Sequence, residues 1–186
     1  EGQALVIYPA GLMCEDGIST PIPQATYKFL KWLGVDVYVA RSYGTYFAMP
    51  KWSKGIRAGR TYLDIYRLFT KDELNRAAIE EVKKKTDEAL LFDAYREQEE
   101  KKTVFAKKGN IEGIENVLYM CPHCKCEYCM NVKNGNTIYC SKCGYGQYSD
   151  EYSFLHKKSE IGEEIRYVSD WSRDIYNKLK EEIISG

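Results

Sequence analysis

The sequence has no net charge, no long apolar run and few histidines. Its 186 residues carry 27 Lys and Arg against 27 Asp and Glu, and only 2 His. This balance argues against a protein that holds nucleic acid mainly by neutralising phosphates. A membrane-spanning helix needs about 20 apolar residues, and the most apolar stretch, residues 4–13, is much shorter. We therefore expect neither a membrane span nor a nucleic-acid partner.

We expect no export signal, because the chain opens with acidic Glu1 rather than a basic segment. We expect a cytoplasmic protein, and we expect Glu1 to be a cut end because it is not Met. The 16 Tyr, 6 Phe and 3 Trp supply large side chains for a core. The length fits one domain, or one domain with a small appendage.

The cysteines are present in number and are clustered. Six of the seven lie within residues 121–143, and the outer pairs form the pattern C-x2-C-x15-C-x2-C. This spacing is typical of zinc sites. Asn134-Gly135 predicts a tight hairpin that brings the two pairs together, and Gly144 eases the second turn. The predicted ligands are Cys121, Cys124, Cys140 and Cys143. Four thiolates leave no open position, so we expect a zinc ribbon with a structural zinc.

Other uses of these cysteines stay open. Cys126 and Cys129 form a second C-x2-C that could replace the first pair or act as a redox pair, although the loop to Cys140 is then shorter. His123 lies inside the first turn, where we expect it to face solvent. Disulfides are the weaker alternative because no export signal points to an oxidising compartment.

We expect an α/β fold in three parts: an α/β segment (1–110), the zinc ribbon (111–158) and a C-terminal helical tail (159–186). The apolar run 4–8 predicts a buried strand. Thr20 is placed as the N-cap of a helix that Gly34 stops, and residues 35–40 predict the next strand. Strand, helix and strand in this order predict a βαβ unit with a parallel pair, whose ligands would gather after the strands.

Three further patterns complete the organisation. Residues 70–73 form a capping box that starts one long helix or two consecutive ones. Residues 107–113 predict a polar linker into the ribbon. Apolar residues recur every four positions near the end of the chain, which predicts an amphipathic helix. These residues are Trp171, Ile175, Leu179 and Ile183.

Residues 51–67 carry five basic side chains against only Asp64. The basic residues are Lys51, Lys54, Arg57, Arg60 and Arg67. Such a segment suits a phosphate or an anionic membrane surface. A solvated loop whose charge is balanced elsewhere explains it equally well.

Residues 7–17 read Ile-Tyr-Pro-Ala-Gly-Leu-Met-Cys-Glu-Asp-Gly. They resemble the strand and Pro-Glu-Gly-Thr loop of the 1-acyl-glycerol-3-phosphate acyltransferase family. Residues 118–124, Leu-Tyr-Met-Cys-Pro-His-Cys, and the later Asp170-Trp171 resemble a bacterial branch of that family that carries a zinc ribbon. The resemblance implies a partial acyltransferase-type α/β sheet domain followed by the ribbon and a C-terminal amphipathic helix.

The resemblance also implies a reaction in phospholipid biosynthesis. An acyl group would pass from acyl-CoA or acyl carrier protein to the hydroxyl of a lysophospholipid, with peripheral membrane contact. Pro9, Ala10 and Gly11 would occupy the loop that helps to hold the acceptor phosphate. The family's general base is the His of a His-x4-Asp motif, whose Asp orients it.

Two departures bear on that activity. No His-x4-Asp is present, since Tyr128 stands five residues after His123 and Ile161 five after His156. Ala10 replaces the family's Glu, and its side chain cannot accept a hydrogen bond. We therefore expect the C-terminal part of an acyltransferase-like protein that is inactive by itself. The alternative is a non-catalytic zinc-ribbon module that binds protein or nucleic acid.

Overall fold

The computed structural model describes residues 2–105 and 110–185, which fall into two compact units. The first unit comprises Glu1–Cys14, Ser19–Ser42 and Tyr62–Phe92, and the second comprises Glu15–Ile18, Tyr43–Thr61 and Asp93–Gly186. These units are interleaved along the chain, because residues 15–18 and 43–61 fold together with the cysteine-rich part. They do not coincide with the sequence segments 1–110, 111–158 and 159–186, which remain divisions of the sequence.

The fold mixes helices with antiparallel sheet and ends in a helix. In chain order the elements are α1 (Gln24–Leu33), β1 (Val37–Tyr43), α2 (Thr45–Ala48), β2 (Tyr62–Phe69), α3 (Lys71–Arg76), α4 (Ile79–Leu90), α5 (Ala94–Lys101), a 3-10 turn (Ile114–Asn116), β3 (Met130–Lys133), β4 (Thr137–Cys140), β5 (Gly146–Ser149), β6 (Leu155–Lys157) and α6 (Val168–Ser185). Strand β1 pairs with β2, and β3 to β6 form an antiparallel sheet in sequence order.

Helix α1 and strand β1 appear close to where the sequence predicts them. The helix ends at Gly34, which has φ 55° and donates its N–H to the carbonyl of Leu30. Its predicted N-cap, Thr20, is wrong, since Pro23 takes that position. The reason is that a residue before proline avoids helical backbone angles, so the two prolines at positions 21 and 23 delay the helix until Gln24.

The predicted capping box is confirmed, and the helices after it contribute to the core of the first unit. The Thr70 hydroxyl accepts the N–H of Glu73, and the Glu73 carboxylate accepts the N–H of Thr70. Two consecutive helices, α3 and α4, follow rather than one. They pack with α1 and β2 around buried residues, which are Tyr27, Leu30, Phe69, Leu74, Ala77 and Val82.

The predicted strand at residues 4–8 is wrong. These residues form no strand, and the side chains of Val6 and Tyr8 are 74% and 86% exposed. A strand is stable only beside a partner strand, and within the described residues β1 pairs with β2 instead. The parallel βαβ pair predicted from residues 4–40 is therefore not formed.

The second unit has an aromatic core. The rings of Phe47, Tyr95 and Phe105 pack against one another, with the centroids of Phe47 and Tyr95 5.0 Å apart. Gly59 admits the ring of Phe105, because a Cβ at position 59 would lie 2.3 Å from that ring. This close approach of backbone and ring explains why glycine occupies the position.

Helix α6 confirms the predicted C-terminal helix, but only its first half is buried. Trp171 is fully buried and Ile175 is 6% exposed, whereas Ile183 is 81% exposed. The Trp171 indole N–H donates to the carbonyl of Met120 at 3.0 Å. The helix is thus attached to the residue that precedes the first cysteine of the cluster.

The predicted linker 107–113 lies partly outside the described residues, as does Glu1. Residues 107–109 belong to that part, while residues 110–113 are folded against the hairpin. Ile111 is 2% exposed, and its N–H donates to the carbonyl of Gly135 at 2.7 Å. Across the described ranges 2–105 and 110–185, no helix is both long and apolar enough to cross a bilayer.

Candidate metal centre

Two turns with the same backbone geometry present the clustered cysteines. Cys121 donates its N–H to the carbonyl of Cys126 at 2.9 Å, and Cys140 donates its N–H to the carbonyl of Tyr145 at 2.7 Å. The fourth residue after each of these cysteines has a left-handed backbone, with φ 57° at Lys125 and 80° at Gly144. The equal spacing of the two C-x2-C pairs therefore produces two equivalent turns.

The β3–β4 hairpin brings these turns together. Lys133 pairs with Thr137, so residues 134–136 form the loop, and Asn134 and Gly135 both have positive φ. The strands deliver Cys140 at the end of β4, directly beside the first turn. The hairpin that the Asn-Gly pair predicts is confirmed, with a loop of three residues rather than two.

The four sulfur atoms form one compact group. Cys121 Sγ lies 3.7 Å from Cys143 Sγ, and Cys124 Sγ lies 3.7 Å from Cys140 Sγ. All four atoms lie within 4.8 Å of one another. A tetrahedral ion with metal–sulfur bonds of about 2.3 Å requires sulfur–sulfur distances of about 3.8 Å. The structure therefore brings together all four predicted ligands in a group that could hold a metal ion.

Backbone N–H groups and burial act on the thiols in opposite directions. The N–H of Cys126 donates to Cys124 Sγ and lowers the pKa of Cys124 to about 7. Burial raises the pKa of Cys121 to about 12, although the N–H groups of Cys124 and His123 partly offset it. Burial also raises the pKa of Cys143. A cation at the centre of the group would favour the thiolate form at all four positions.

The two remaining cysteines of the ribbon stay outside this group. Cys126 and Cys129 are joined by a disulfide, the alternative that the sequence disfavours. Cys126 and Cys129 therefore do not take the place of Cys121 and Cys124 in the metal group. His123 is exposed, as its place in the turn predicts, and it is not a member of the metal group.

Aromatic side chains support the second turn from the inside. Tyr145 is fully buried, and its ring meets that of Trp171 edge to face with the centroids 5.8 Å apart. The Tyr145 hydroxyl donates to the carbonyl of Glu163 at 2.8 Å. Gly162 makes room for this ring, because a Cβ there would lie 2.6 Å from it. The packing holds the second cysteine turn against the loop that leads to α6.

The loop at Pro9, Ala10 and Gly11, which the sequence analysis expects to hold an acceptor phosphate, forms a tight turn without polar side chains. The N–H of Gly11 donates to the carbonyl of Tyr8 at 3.1 Å, so Pro9 and Ala10 are the central residues of a tight turn. Pro9 and Ala10 are half-buried and Gly11 is exposed. None of the three has a polar side chain, so any contact with a phosphate would depend on main-chain groups.

The structure contains a histidine–aspartate pair that the sequence did not predict. His156 Nε2 lies 2.8 Å from Asp150 Oδ2, while Asp150 Oδ1 accepts the N–H groups of Tyr152 and Phe154. A search for an acid after each histidine misses this one because Asp150 precedes His156. Asp150 thus links the turn between β5 and β6 to a side chain of β6.

No protein-family model matches the chain, and no curated protein or solved structure does. Among the side-chain groups of the described residues, the four-cysteine group has the most specific chemistry, because four thiols within 4.8 Å of one another could hold a metal ion.

Proposed function

We propose that Cys121, Cys124, Cys140 and Cys143 bind one Zn²⁺, and that the ion acts as a structural cross-link of a zinc ribbon. The observation that carries the proposal is the pair of 3.7 Å sulfur–sulfur distances within a group of four thiols. Four protein ligands leave no coordination position for a substrate or an activated water. The metal therefore stabilises the fold and does not act on a substrate.

The cross-link would join two turns that lie on either side of the β3–β4 hairpin in the sequence. One pair of ligands precedes β3 and the other surrounds the end of β4. The small sheet of β3 to β6 offers limited apolar area of its own, and domains of this size often need a metal or a disulfide. We expect the ion to supply much of the stability of this sheet and of the two turns that hold the ligands.

Metal content of the purified protein tests this proposal. We expect elemental mass spectrometry to find about one zinc per chain, as four-thiolate structural sites require. Iron in the same ligand set is the competing assignment, and it would give a coloured protein with iron in place of zinc. Metal-free protein with the ribbon fully folded would refute the proposal.

Cysteine variants make the test specific. Cys143→Ser removes a ligand and should lower the zinc content and unfold the ribbon, which circular dichroism would record. Cys14→Ser is the matched control, because it makes the same chemical change at a cysteine that belongs neither to the metal group nor to the disulfide. We expect it to retain about one zinc per chain. Equal loss of zinc from both variants would contradict the ligand assignment.

A place in the acyltransferase family is the second proposal. One contact supports it. The two segments that resemble the ribbon-bearing branch are residues 118–124 and Asp170-Trp171, and they touch, since the Trp171 indole N–H donates to the carbonyl of Met120. The general base is missing from the sequence, and the loop at Pro9, Ala10 and Gly11 has no polar side chain. We expect this chain to show no acyl transfer from acyl-CoA to a lysophospholipid, and measured turnover would overturn that expectation.

A non-catalytic interaction module is the alternative to that family assignment. The structural zinc site agrees with either, because a closed site stabilises a ribbon whatever the ribbon contacts. Binding of lysophosphatidate or acyl-CoA would favour the acyltransferase lineage. Saturable, salt-sensitive binding of RNA or DNA would favour the module.

A further inference from the structure

Cys126 and Cys129 form a disulfide beside the metal group, and the zinc site does not use them. Cys126 stands only two residues after the ligand Cys124. Both bridged cysteines are half-buried, while the two residues between them, Glu127 and Tyr128, are exposed. The disulfide therefore belongs to a surface segment of the ribbon and not to its core.

This disulfide segment, residues 126–129, is bonded to the first metal turn. The N–H of Cys126 donates to the sulfur of Cys124. The carbonyl of Cys126 accepts the N–H of Cys121 at 2.9 Å. Two of the four predicted ligands are thus positioned by the backbone of one bridged cysteine.

The other end of the disulfide segment is bonded to the second pair of ligands. The carbonyl of Cys129 accepts the N–H of Ser141 at 2.8 Å and the Ser141 hydroxyl at 3.1 Å. Ser141 directly follows the ligand Cys140 in the chain. Each bridged cysteine therefore anchors one of the two metal turns, and the covalent bond between them restricts how far the two anchor points can separate.

The backbone between the bridged cysteines has a conformation that tyrosine rarely adopts. Tyr128 has φ 55°, in the left-handed region that is unfavourable for residues with a Cβ. Its N–H donates to the carbonyl of Tyr119 at 2.8 Å, and the two rings stack with their centroids 5.2 Å apart. Opening the disulfide removes one of the constraints on this backbone. Disulfides in exposed or strained segments are the ones that exchange readily with thiols.

We propose that Cys126 and Cys129 form a redox site that exchanges with small thiols, and that its reduction weakens the hold of the four-cysteine group on zinc. In the exchange, one thiolate attacks a sulfur of the pair and forms a mixed disulfide, which releases the other cysteine as a thiol. A second thiol attacks the mixed disulfide, releases the remaining cysteine and leaves as the oxidised reagent. Two electrons and two protons pass to the protein.

Reduction acts on zinc through the hydrogen bonds of the disulfide segment. Groups that hold metal ligands in place typically contribute about 10–100-fold to metal affinity. Here the hydrogen bonds are loosened and not deleted, so we expect an effect of about tenfold, at the lower end of that range. The effect on zinc rests on the zinc site proposed above, whereas the exchange itself does not.

The first measurement follows the exchange in the zinc-loaded full chain. The protein is equilibrated without oxygen in mixtures of glutathione and glutathione disulfide, from strongly oxidising to strongly reducing. Exchange is stopped with acid, free thiols are alkylated, and peptide mass spectrometry reports the state of each cysteine. We expect Cys126 and Cys129 to change together from disulfide to dithiol, while the four ligands stay reduced. A pair that keeps one state across the whole range would overturn the proposal.

The second measurement compares the loss of zinc from the oxidised and the reduced protein. Glutathione is removed, and an excess of a chromogenic chelator records the rate of zinc release. We expect release to be about tenfold faster from the reduced protein. Equal rates, or slower release after reduction, would overturn the link between the disulfide and the metal group. Protein without zinc in either state would refute the zinc site instead, and the peptide masses would still decide whether the pair exchanges.

A double variant, Cys126→Ser with Cys129→Ser, makes the test specific because it cannot form the disulfide and keeps all four predicted ligands. It should release zinc as fast as the reduced wild type, whether or not glutathione disulfide is added. Cys14→Ser is the matched control and should keep the full difference between the two states. Slow release from a folded double variant would contradict the proposal, and the comparison of the two wild-type states decides it if that variant does not fold.

Discussion

Replacing Trp171 by Phe should destabilise the second unit by removing one defined hydrogen bond. The indole N–H donates to the carbonyl of Met120 at 3.0 Å, and both residues are buried. Leaving a buried carbonyl without its donor costs about 1–3 kcal/mol. The smaller ring also leaves a gap beside Tyr145, which adds about 1 kcal/mol. We expect a total loss of about 2–4 kcal/mol of unfolding free energy.

Urea unfolding of the zinc-loaded protein, followed by far-UV circular dichroism, measures this loss. The midpoint of the second unit should fall by about 1–2 M with an unchanged slope. Tyr176→Phe is the control, because Tyr176 lies on the same helix and is 67% exposed. It should change the free energy by less than about 0.5 kcal/mol. An equally small effect of Trp171→Phe would refute the reasoning.

Two further predictions concern local interactions. Thr70→Ala removes the hydroxyl that accepts the N–H of Glu73, although the N–H of residue 70 can still donate to the Glu73 carboxylate. The change should cost about 1 kcal/mol in thermal unfolding, whereas Thr70→Ser should retain most of the stability. The hydrogen bonds from Arg166 and Tyr167 lower the pKa of Glu99 below its usual 4.5. The stability that these hydrogen bonds give to the folded protein is therefore present above pH 4.5. It is lost as the pH falls through the pKa of Glu99 in the folded state. Glu99→Gln should be less stable than wild type at neutral pH, and the gap should close in acid; a constant gap would contradict this.

The parts of the molecule that could be predicted are those set by short stretches of chain. Two C-x2-C turns and an Asn-Gly hairpin contain nearly all the information that assembles the four sulfurs. The capping box at Thr70 and the stop at Gly34 are equally local. In each case the residues that determine the geometry are within a few positions of one another.

The parts that could not be predicted depend on distant partners. The apolar run at residues 4–8 has the composition of a buried strand, but composition does not specify a neighbour, and Val6 remains 74% exposed. Periodicity places Trp171 on the apolar face of a helix, yet it does not say that the indole meets Met120. The basic segment 51–67 suggests a solvated charge at Arg57, but the folded chain leaves only 8% of this residue exposed.

The attachment of α6 to Met120 has a consequence for the order of events during synthesis. Trp171 lies after all four cysteine ligands in the chain, so the complete ligand set leaves the ribosome before the helix that covers it. For that interval the thiols of the ribbon are accessible to an ion or to an oxidant. Docking of the helix then limits that access at both turns together, because Trp171 contacts Met120 beside the first turn and Tyr145 in the second.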